Sequence, residues 1–344
     1  VVVQECEAYG VPVIVTAAGD LDVESSQSTG ARIVANNYQD LAQAIRDALA
    51  GDQPVASAAE RAKRDKAARG KWDELLASLR VAGKQAGNPK PVKPALVSVC
   101  VAHFNRPDML ELVLESLDGQ TYSNFEIVVV DDGSAPDNAA AAEALVAKRD
   151  NARFVRTANR YLGAARNAGA RHARGEFLLF KDDDNYAKPE EIETFVRCAQ
   201  RTNADILTCF SDNFEGDGRP EPDTLTGIRR LPFGAGLGLN LFRNSFGDSN
   251  CFVRRDVWEK LGGFSEHYRI GLDDHEFFLR AHLKGYRLEL VPEALYYYRL
   301  GGEKMKRFHV SKHANEQRIM STVLEHSDMS LLDVATIYLA RKYA

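Results

Sequence analysis

Three consecutive aspartates, Asp182, Asp183 and Asp184, follow the apolar run over residues 177–180. That run is typical of a buried strand, in which alternate side chains point to the same side. We therefore expect Asp182 and Asp184 to face the same way at the end of the strand, within reach of one hard cation. Mg²⁺ or Mn²⁺ held in this way keeps coordination positions that phosphate oxygens of a ligand can fill. The alternative interpretation is an acidic turn exposed to solvent.

The composition of the chain limits its possible functions. The sequence has 344 residues, 44% of them hydrophobic, which predicts two domains, or one large domain with an appendage. A net charge of −5 argues against a general role in binding nucleic acid. Five scattered cysteines without a Cys-x-x-Cys pair predict reduced thiols in a cytoplasmic protein. No stretch is apolar for long enough to span a bilayer. Because the sequence opens at Val1 in what resembles the middle of a domain, we expect a piece of a longer polypeptide.

The first 94 residues combine a short α/β pattern, a charged segment and a linker. Residues 11–16 and 32–35 have the apolar character of strands, and residues 38–49 have helical spacing. Charges of alternating sign over residues 56–80 predict a solvent-exposed helix, with a membrane-contacting helix as the less favoured alternative. Residues 81–94 hold the glycines and prolines of a linker.

From residue 95 onward, apolar strands alternate with amphipathic helices. This order predicts an α/β domain with a mostly parallel sheet flanked by helices. In such sheets ligands bind beyond the carboxyl ends of the strands, where both acidic clusters lie, Asp131–Asp132 and Asp182–Asp184. Strands are predicted over residues 96–101, 125–130, 153–155, 177–180 and 206–210, and helices over residues 109–117, 139–148, 163–173 and 190–200.

Six motifs in this order resemble family 2 glycosyltransferases, which have the GT-A fold. They cover about residues 96–307, and their order is more specific than any one motif. The motifs are VSVCVAHFNRP (97–107), QTY (120–122) with FEIVVVDDGS (125–134), GAARNAG (163–169), FKDDD (180–184), GGF (262–264) and LDDHE (272–276).

The resemblance implies an inverting enzyme that uses a nucleoside-diphosphate sugar, with UDP as the expected nucleotide. Asp132, beside Asp131, would accept a hydrogen bond from the base, and Arg166 would lie near the nucleotide or its phosphates. The alternatives are turn chemistry for residues 131–134 and a surface salt bridge for Arg166. The full set of nucleotide-binding residues implied by the resemblance is Ala102, Phe104, Arg106, Asp131, Asp132, Asn159, Arg166 and Asp183.

The same resemblance assigns the metal. Asp182 and Asp184 would hold Mn²⁺ or Mg²⁺, which takes up the charge that appears on the leaving diphosphate. Many relatives have a histidine shortly after a Tyr-Arg pair, but here Leu300 follows Arg299. His309 is the nearest substitute as a third ligand, and the basic residues over 304–307 could instead close over the diphosphate.

At the acceptor side, the resemblance makes Asp274 the general base that takes the proton of the attacking hydroxyl. Asp273 stands where the family usually has Glu, and it is assigned with Asp248 to acceptor binding. The alternative for Asp273 and Asp274 is electrostatic capping of a helix N-terminus. The acceptor is expected to be a glycan or a lipid-linked glycan at the bacterial cell surface, which allows a peripheral position at the inner face of the membrane.

Residues 1–52 resemble the end of a family 4 glycosyltransferase, which has the GT-B fold. The resemblance rests on QECEAYGVPVIVT (4–16), Thr29–Gly30 and the helix at 41–49, and it makes Glu5 the acid that binds the donor ribose. This remnant would be inactive alone, so we expect a longer protein with two transferases in tandem.

These observations predict four segments and leave two other functions open. The segments are a GT-B-like remnant with a charged helix (1–80), a linker (81–94), a GT-A domain (95–310) and a helical tail (311–344). A sugar-nucleotidyltransferase shares the sheet and the acidic metal site, but it normally has a basic Gly-rich loop after its first strand. A binding module without catalysis is the other alternative, which the intact acids disfavour.

Overall fold

A computed structural model describes residues 14–16, 32–34, 94–236, 240–241, 243–267, 271–301 and 312–343 of the chain. The chain divides into two compact units, Val1–Pro91 with Ser327–Ala344, and Val92–His326. Among the described helices, none combines the length and the hydropathy that a bilayer-crossing helix needs.

The first unit contains a parallel pair of strands, β1 (Ile14–Thr16) and β2 (Arg32–Val34), in which Ile14 pairs with Arg32. Both strands lie where the apolar pattern predicts them. The helix predicted over residues 38–49, the charged helix over 56–80 and the linker up to residue 93 lie outside the described residues.

The second unit is built on one sheet, for which the described residues give nine strands in the order β5-β4-β3-β6-β10-β8-β11-β7, with β9 paired to β8. Neighbours in the run β5-β4-β3-β6 are parallel, as are β8 and β11, whereas β7, β9 and β10 run antiparallel to their partners. The predicted sheet, mostly parallel, is therefore confirmed. The strands are β3 (Val97–His103), β4 (Phe125–Asp131), β5 (Ala152–Arg156), β6 (Phe177–Asp182), β7 (Tyr186–Ala187), β8 (Ile206–Glu215), β9 (Leu225–Arg230), β10 (Phe252–Arg254) and β11 (Leu288–Leu300).

Helices lie between these strands, close to the predicted positions. In the first of them, residues 110, 113, 114 and 117 are buried, which is the face that the sequence spacing predicts. The helices are α1 (Pro107–Asp118), α2 (Pro136–Val146), α3 (Leu162–His172), α4 (Glu191–Thr202), α5 (Arg255–Leu261), α6 (Asp273–Leu283), α7 (Lys312–His326) and, in the first unit, α8 (Leu331–Tyr343).

The core strands β3, β4 and β6 are apolar and buried over almost their whole length, as expected for a sheet covered on both faces. Phe252 of β10 stacks on Phe177 at 4.8 Å and on Phe195 of α4 at 5.3 Å between ring centroids. These contacts tie the antiparallel strand β10 into the parallel part of the sheet.

The register brings the carboxyl ends of three strands to one edge, and two of these ends are acidic. In the parallel ladders, His103 of β3 pairs with Asp131 of β4, and Ala102 pairs with Asp182 of β6. Strand β6 ends at Asp182, and Asp183 and Asp184 lie in the turn that follows. The alternation of side chains that predicts a common direction for Asp182 and Asp184 therefore stops at Asp182.

The strand that carries the aspartates is anchored by a buried ion pair. Lys181 Nζ lies 2.9 Å from Glu191 Oε2, and both side chains are fully buried. Asn250 completes the group, because its Oδ1 accepts from Lys181 at 2.9 Å and its Nδ2 donates to Glu191 at 2.7 Å. Breaking a buried pair by removing one partner leaves an uncompensated charge in a low dielectric.

We expect Lys181→Met to lower the free energy of unfolding by about 3–5 kcal/mol, because the Glu191 carboxylate would stay buried without its cation. The double variant Lys181→Met/Glu191→Leu should recover most of that loss. Urea denaturation followed by circular dichroism measures both. Lys148→Met serves as the control, since Lys148 and Glu111 are exposed and 3.9 Å apart and should contribute less than about 1 kcal/mol. Equal losses for Lys181→Met and the double variant would contradict the anchoring role.

Candidate active site

Asp182 is held at the end of β6 by groups from two other elements. Its Oδ1 accepts from Arg166 Nη2 of α3 at 2.8 Å, and its Oδ2 accepts from Ser249 Oγ at 3.1 Å. Although burial acts in the opposite direction, the Arg166 guanidinium lowers the pKa of this carboxyl below its usual value. Asp182 is therefore ionised at neutral pH.

Asp183 is buried and fastens the acidic turn to the end of β3. Its Oδ2 lies 2.9 Å from His103 Nδ1 and accepts from the Phe104 N–H at 3.3 Å. Its other oxygen pairs with Arg106 at the start of α1. Asp183, Phe104 and Arg106, which the resemblance assigns to nucleotide binding, are thus brought together.

Asp184 shares Arg106 with its neighbour, because Arg106 Nη1 lies 2.9 Å from Asp184 Oδ2. Burial, together with the negative charges of Asp183 and Asp182, raises the pKa of Asp184 to about 6, against the effect of Arg106. The turn therefore holds more negative charge than the nearby arginines neutralise.

This imbalance bears on whether the aspartates fit a metal ion. Among the described residues, no group of three His, Cys, Asp or Glu side chains is arranged to hold a metal by itself. Two carboxylates are nevertheless enough for Mg²⁺ or Mn²⁺ when phosphate oxygens of a ligand and water complete the coordination. Asp182 and Asp184 are carboxylate donors of the kind that such a cation takes, and the charges of Asp183 and Asp182 that contribute, after burial, to the raised pKa of Asp184 would be offset by a cation at the turn. His309 lies outside the described residues.

At the end of β4, Asp132 holds the loop that leads into α3. Its two oxygens accept from the backbone N–H groups of Arg160 at 2.9 Å and Tyr161 at 2.8 Å. Tyr161 has a φ of 78°, an uncommon conformation for a residue with a side chain. Burial raises the pKa of Asp132, and the two N–H groups oppose this shift by stabilising the ionised form.

Its neighbour Asp131 is fully buried and takes part in the turn at residues 131–134. The N–H of Ser134 donates to Asp131 Oδ2 at 3.3 Å, and Arg156 Nε lies 3.5 Å from the same oxygen. Gly133 has a φ of +75°, and a Cβ added there would lie 2.7 Å from the backbone nitrogen of Asn159. Residues 131–134 thus form the turn that the alternative interpretation predicts, and this turn brings Asn159 close to the end of β4.

Arg166 connects the acidic turn with the acceptor side. Only 2% of its side chain is exposed, so its ion pairs are buried ones. Its Nη2 donates to Asp182, its Nη1 donates to Asp273 at the start of α6, and its guanidinium lies 5.5 Å from the centre of the Phe264 ring. Although burial acts in the opposite direction, Asp273 and Asp182 raise the pKa of Arg166, which therefore keeps its charge.

Asp273 and Asp274 occupy the first turn of α6, directly after Leu272, which has a φ of 59°. Negative side chains at this position are stabilised by the helix dipole. Asp274 Oδ1 accepts from the His275 N–H at 2.7 Å, and its Oδ2 accepts from Asn244 Nδ2 at 3.1 Å. Burial and the charge of Asp273 raise the pKa of Asp274 to about 7, against the effect of Arg166. A carboxyl group with a pKa near the working pH is suited to act as a general base.

Asp248, the other predicted acceptor residue, lies close to this region. It bonds to the Tyr296 hydroxyl, lies 3.3 Å from Arg230 Nη1 and accepts from the Asn250 N–H at 2.9 Å. Asp248 and Asn244 line the same cavity of about 220 Å³. Asp274 thus contacts Asn244, and Asn244 lines the same cavity as Asp248.

The motifs do not predict four features of this site. One is the bridge that Arg166 makes between Asp182 and Asp273. The others are the contacts of Ser249 with Asp182, of Asn244 with Asp274 and of His103 with Asp183. His103 belongs to the first motif, and a histidine inside an apolar strand is a signal that could have identified it. Asn244 and Ser249 lie in an irregular segment without periodicity, so the sequence offers no such signal for them.

Comparison with known proteins agrees with this geometry. The family described as "Glycosyl transferase family 2" matches residues 98–262. The protein named glycosyltransferase EpsH from Bacillus subtilis (strain 168) is 32% identical over 222 residues, which are 59% of this chain and 60% of that protein. Succinoglycan biosynthesis protein ExoO from Rhizobium meliloti (strain 1021) is 32% identical over 215 residues, which are 59% of this chain and 60% of that protein. The chain thus spans about three fifths of the length of these relatives.

Two solved structures share the fold. The complex of Staphylococcus aureus TarS 1–349 with UDP-GlcNAc has a TM-score of 0.57 at 22% identity, over 72% of each chain. The mannosyltransferase PcManGT from Pyrobaculum calidifontis, in complex with GDP-Man and Mn²⁺, has a TM-score of 0.52 at 18% identity, over 78% of this chain and 76% of that chain. At these identities the likeness concerns the fold, and it confirms the GT-A architecture. Residues 98–262 are therefore similar in sequence to family 2 glycosyltransferases, and they lie in a domain with the GT-A fold.

Proposed function

We propose that this protein moves a sugar from a nucleoside-diphosphate donor to a hydroxyl of a growing cell-surface polysaccharide, with inversion at the anomeric carbon. The expected donor is a UDP-sugar. The observation that carries the proposal is the chain of contacts Asp182–Arg166–Asp273, which joins the acidic turn to the first turn of α6, where Asp274 follows Asp273. The name of the relative ExoO, a succinoglycan biosynthesis protein, supports a polysaccharide as the product.

The donor would bind along the carboxyl ends of β3, β4 and β6. Asp132 and Asp131 lie at the base end, with Asn159 beside them, and Ala102 and Phe104 flank Asp183 at the ribose and phosphate end. Phe104 is 37% exposed, so its ring is free to contact a nucleotide. Each of Arg106 and Arg166 pairs with two carboxylates, but the Arg106 side chain is 37% exposed and that of Arg166 only 2%, so Arg106 is the cation better placed to meet the diphosphate.

Asp182 and Asp184 would hold a divalent cation, Mn²⁺ or Mg²⁺, together with oxygens of the diphosphate. Such an ion supplies Lewis-acid stabilisation of the leaving group. The residues themselves supply the negative charge that retains the ion, and Arg166 fixes the direction in which Asp182 faces. The role of His309 stays a prediction.

Asp274 would act as the base in a single displacement. Its ionised carboxylate accepts the proton of the acceptor hydroxyl while that oxygen attacks the anomeric carbon and the bond to the diphosphate breaks. Inversion follows, because attack and departure occur on opposite faces of the sugar. Asp273 cannot substitute for it, since its carboxylate is engaged by Arg166.

The remaining expectations concern the protein beyond this domain. We infer an acceptor that is a glycan or a lipid-linked glycan, and a position at the inner face of the membrane. The likeness of residues 1–52 to the end of a family 4 enzyme stays a prediction, as does a second transferase in a longer polypeptide.

The first test replaces the proposed base. Asp274→Asn should lower sugar transfer by about 10²- to 10⁴-fold, because the acceptor proton loses its recipient. Thermal stabilisation by UDP with Mn²⁺ should stay at the wild-type level, since Asp274 does not contact the donor site. The measurement is UDP release with a panel of UDP-sugars and oligosaccharide acceptors. Asp118→Asn, at the exposed end of α1, is the matched control. Wild-type turnover in Asp274→Asn would remove the assignment.

The pH dependence of the reaction provides a second test. Because the pKa of Asp274 is raised to about 7, its carboxyl group is mostly protonated, and so inactive as a base, at pH 6. We expect kcat/KM to fall about tenfold for each pH unit below 7 and to level off above about pH 8. UDP–Mn²⁺ affinity measured by calorimetry at each pH separates this effect from loss of donor binding. A rate that is flat between pH 5.5 and 8 would be incompatible with the proposal.

A third test concerns the cation. Arg106→Met removes a positive charge that is paired with both Asp183 and Asp184, so Mn²⁺ should bind about tenfold more tightly to the free protein. Arg149→Met, which breaks a pair with Asp118 away from the site, should leave the affinity unchanged. Isothermal titration with Mn²⁺ alone measures both. Mn²⁺ binding that is the same in Arg106→Met, Asp184→Asn and wild type would exclude Asp184 as a ligand.

A further inference from the structure

Asp274 has a side-chain partner that the family motifs do not contain. Asn244 Nδ2 donates to Asp274 Oδ2 at 3.1 Å, from a segment 30 residues earlier in the chain. Among the described residues, the other oxygen, Oδ1, accepts from the backbone N–H of the adjacent His275 at 2.7 Å. The contact with Asn244 therefore ties the orientation of the Asp274 carboxylate to a part of the protein outside its own helix.

The position of Asn244 is fixed by its neighbours. Asn240 Oδ1 accepts from both the N–H and the hydroxyl of Ser245, each at 2.9 Å. Asn240 Nδ2 donates to the carbonyl oxygens of Gly234 and Gly236, also at 2.9 Å. The carbonyl oxygen of Asn240 lies 2.6 Å from His275 Nε2. This segment is therefore fastened to the first turn of α6, directly beside Asp274.

Asn244 also lines a cavity of about 220 Å³. Polar and aromatic side chains form the cavity with it, among them Ser211, Arg230, Asp248 and Tyr296. Within the described part of the chain, Asn244 Oδ1 is buried without a hydrogen-bond partner. An unpaired buried amide oxygen is unfavourable. The unpaired Oδ1 of Asn244 therefore lowers the stability of the fold, whereas Nδ2 of the same amide makes the hydrogen bond to Asp274.

We propose that Asn244 is a positioning residue for the transfer, which fixes the direction in which the ionised carboxylate of Asp274 meets the hydroxyl of the acceptor sugar. The proposal rests on the proposed function. It adds a residue to the reaction.

The electrostatics give this contact a measurable effect. A hydrogen bond from Asn244 stabilises the charged form of Asp274, so its removal should raise the pKa of that carboxyl group further. The other charged groups that act on Asp274 are Asp273 of α6 and Asp248, which disfavour its charge, and Arg166 of α3 and Arg318 of α7, which favour it. None of these is changed when Asn244 is replaced, so the shift isolates the contribution of the amide.

The experiment measures the pKa of Asp274 directly, by NMR titration of ¹³C-labelled aspartate carboxyl groups, with Asp274→Asn to assign the signal. We expect Asn244→Ala to raise this pKa by about 1 to 2, as the loss of one hydrogen bond to a charged group predicts. The acidic limb of the plot of kcat/KM against pH should move to higher pH by the same amount. Asn244→Leu keeps the volume without the donor and gives a second reading if the alanine variant folds poorly. Asn151→Ala, which loses an exposed amide contact to Phe125, is the matched control.

The possible outcomes separate the two proposals. An Asp274 pKa that is unchanged in both Asn244 variants would overturn the positioning role, whatever the activity. A raised pKa together with a shifted rate profile would support it. If the wild type neither binds nor turns over any nucleotide sugar, the proposed function fails, whereas the titration still reports whether Asn244 controls Asp274.

Discussion

The buried guanidinium of Arg166 is the interaction on which the site depends. A buried cation is tolerated only when carboxylates surround it, and Arg166 finds one on each side, Asp182 at the end of β6 and Asp273 at the start of α6. These residues are 16 and 107 positions away in the sequence. Helix α3 allows this arrangement because it carries small residues. A Cβ on Gly163 would lie 2.1 Å from the carbonyl oxygen of Ser265, so only glycine permits the close approach that encloses Arg166.

A consequence of this arrangement is that the protein neutralises its acids unevenly. Arg166 lowers the pKa of Asp182, whereas Asp184 shares Arg106 with Asp183 and keeps a raised pKa. The excess negative charge of the turn lies at its accessible residues, since the side chains of Asp182 and Asp184 are 27% and 18% exposed compared with 2% for Asp183. A divalent cation, attracted by this excess, would in turn attract a diphosphate. The order of charges from the core outward then alternates in sign, as stable ionic sites require.

The sequence predicts the parallel half of the sheet well, because its strands are continuous apolar runs between amphipathic helices. It does not predict β9, all but one of whose side chains are exposed, or β10, which has three residues. The expected alternation through Asp184 also fails, since the strand ends two residues earlier. The partners of Asp132 are backbone N–H groups in a loop, and the partner of Asp274 lies in an irregular segment. Such contacts form only in the folded protein, so the spacing of residues in the sequence does not predict them.

Two carboxyl groups show why a raised pKa by itself does not identify a base. Burial raises the pKa of both Asp132 and Asp274. Asp132 accepts two backbone N–H groups, so a proton on its carboxylate would weaken the loop before α3. Asp274 also accepts two donors, the His275 N–H and Asn244 Nδ2, and each of the two carboxyl groups has a like charge beside it, Asp131 or Asp273. What distinguishes the proposed base is that the pKa of Asp274 is raised to about 7, where a carboxyl group both gains and loses a proton close to neutral pH.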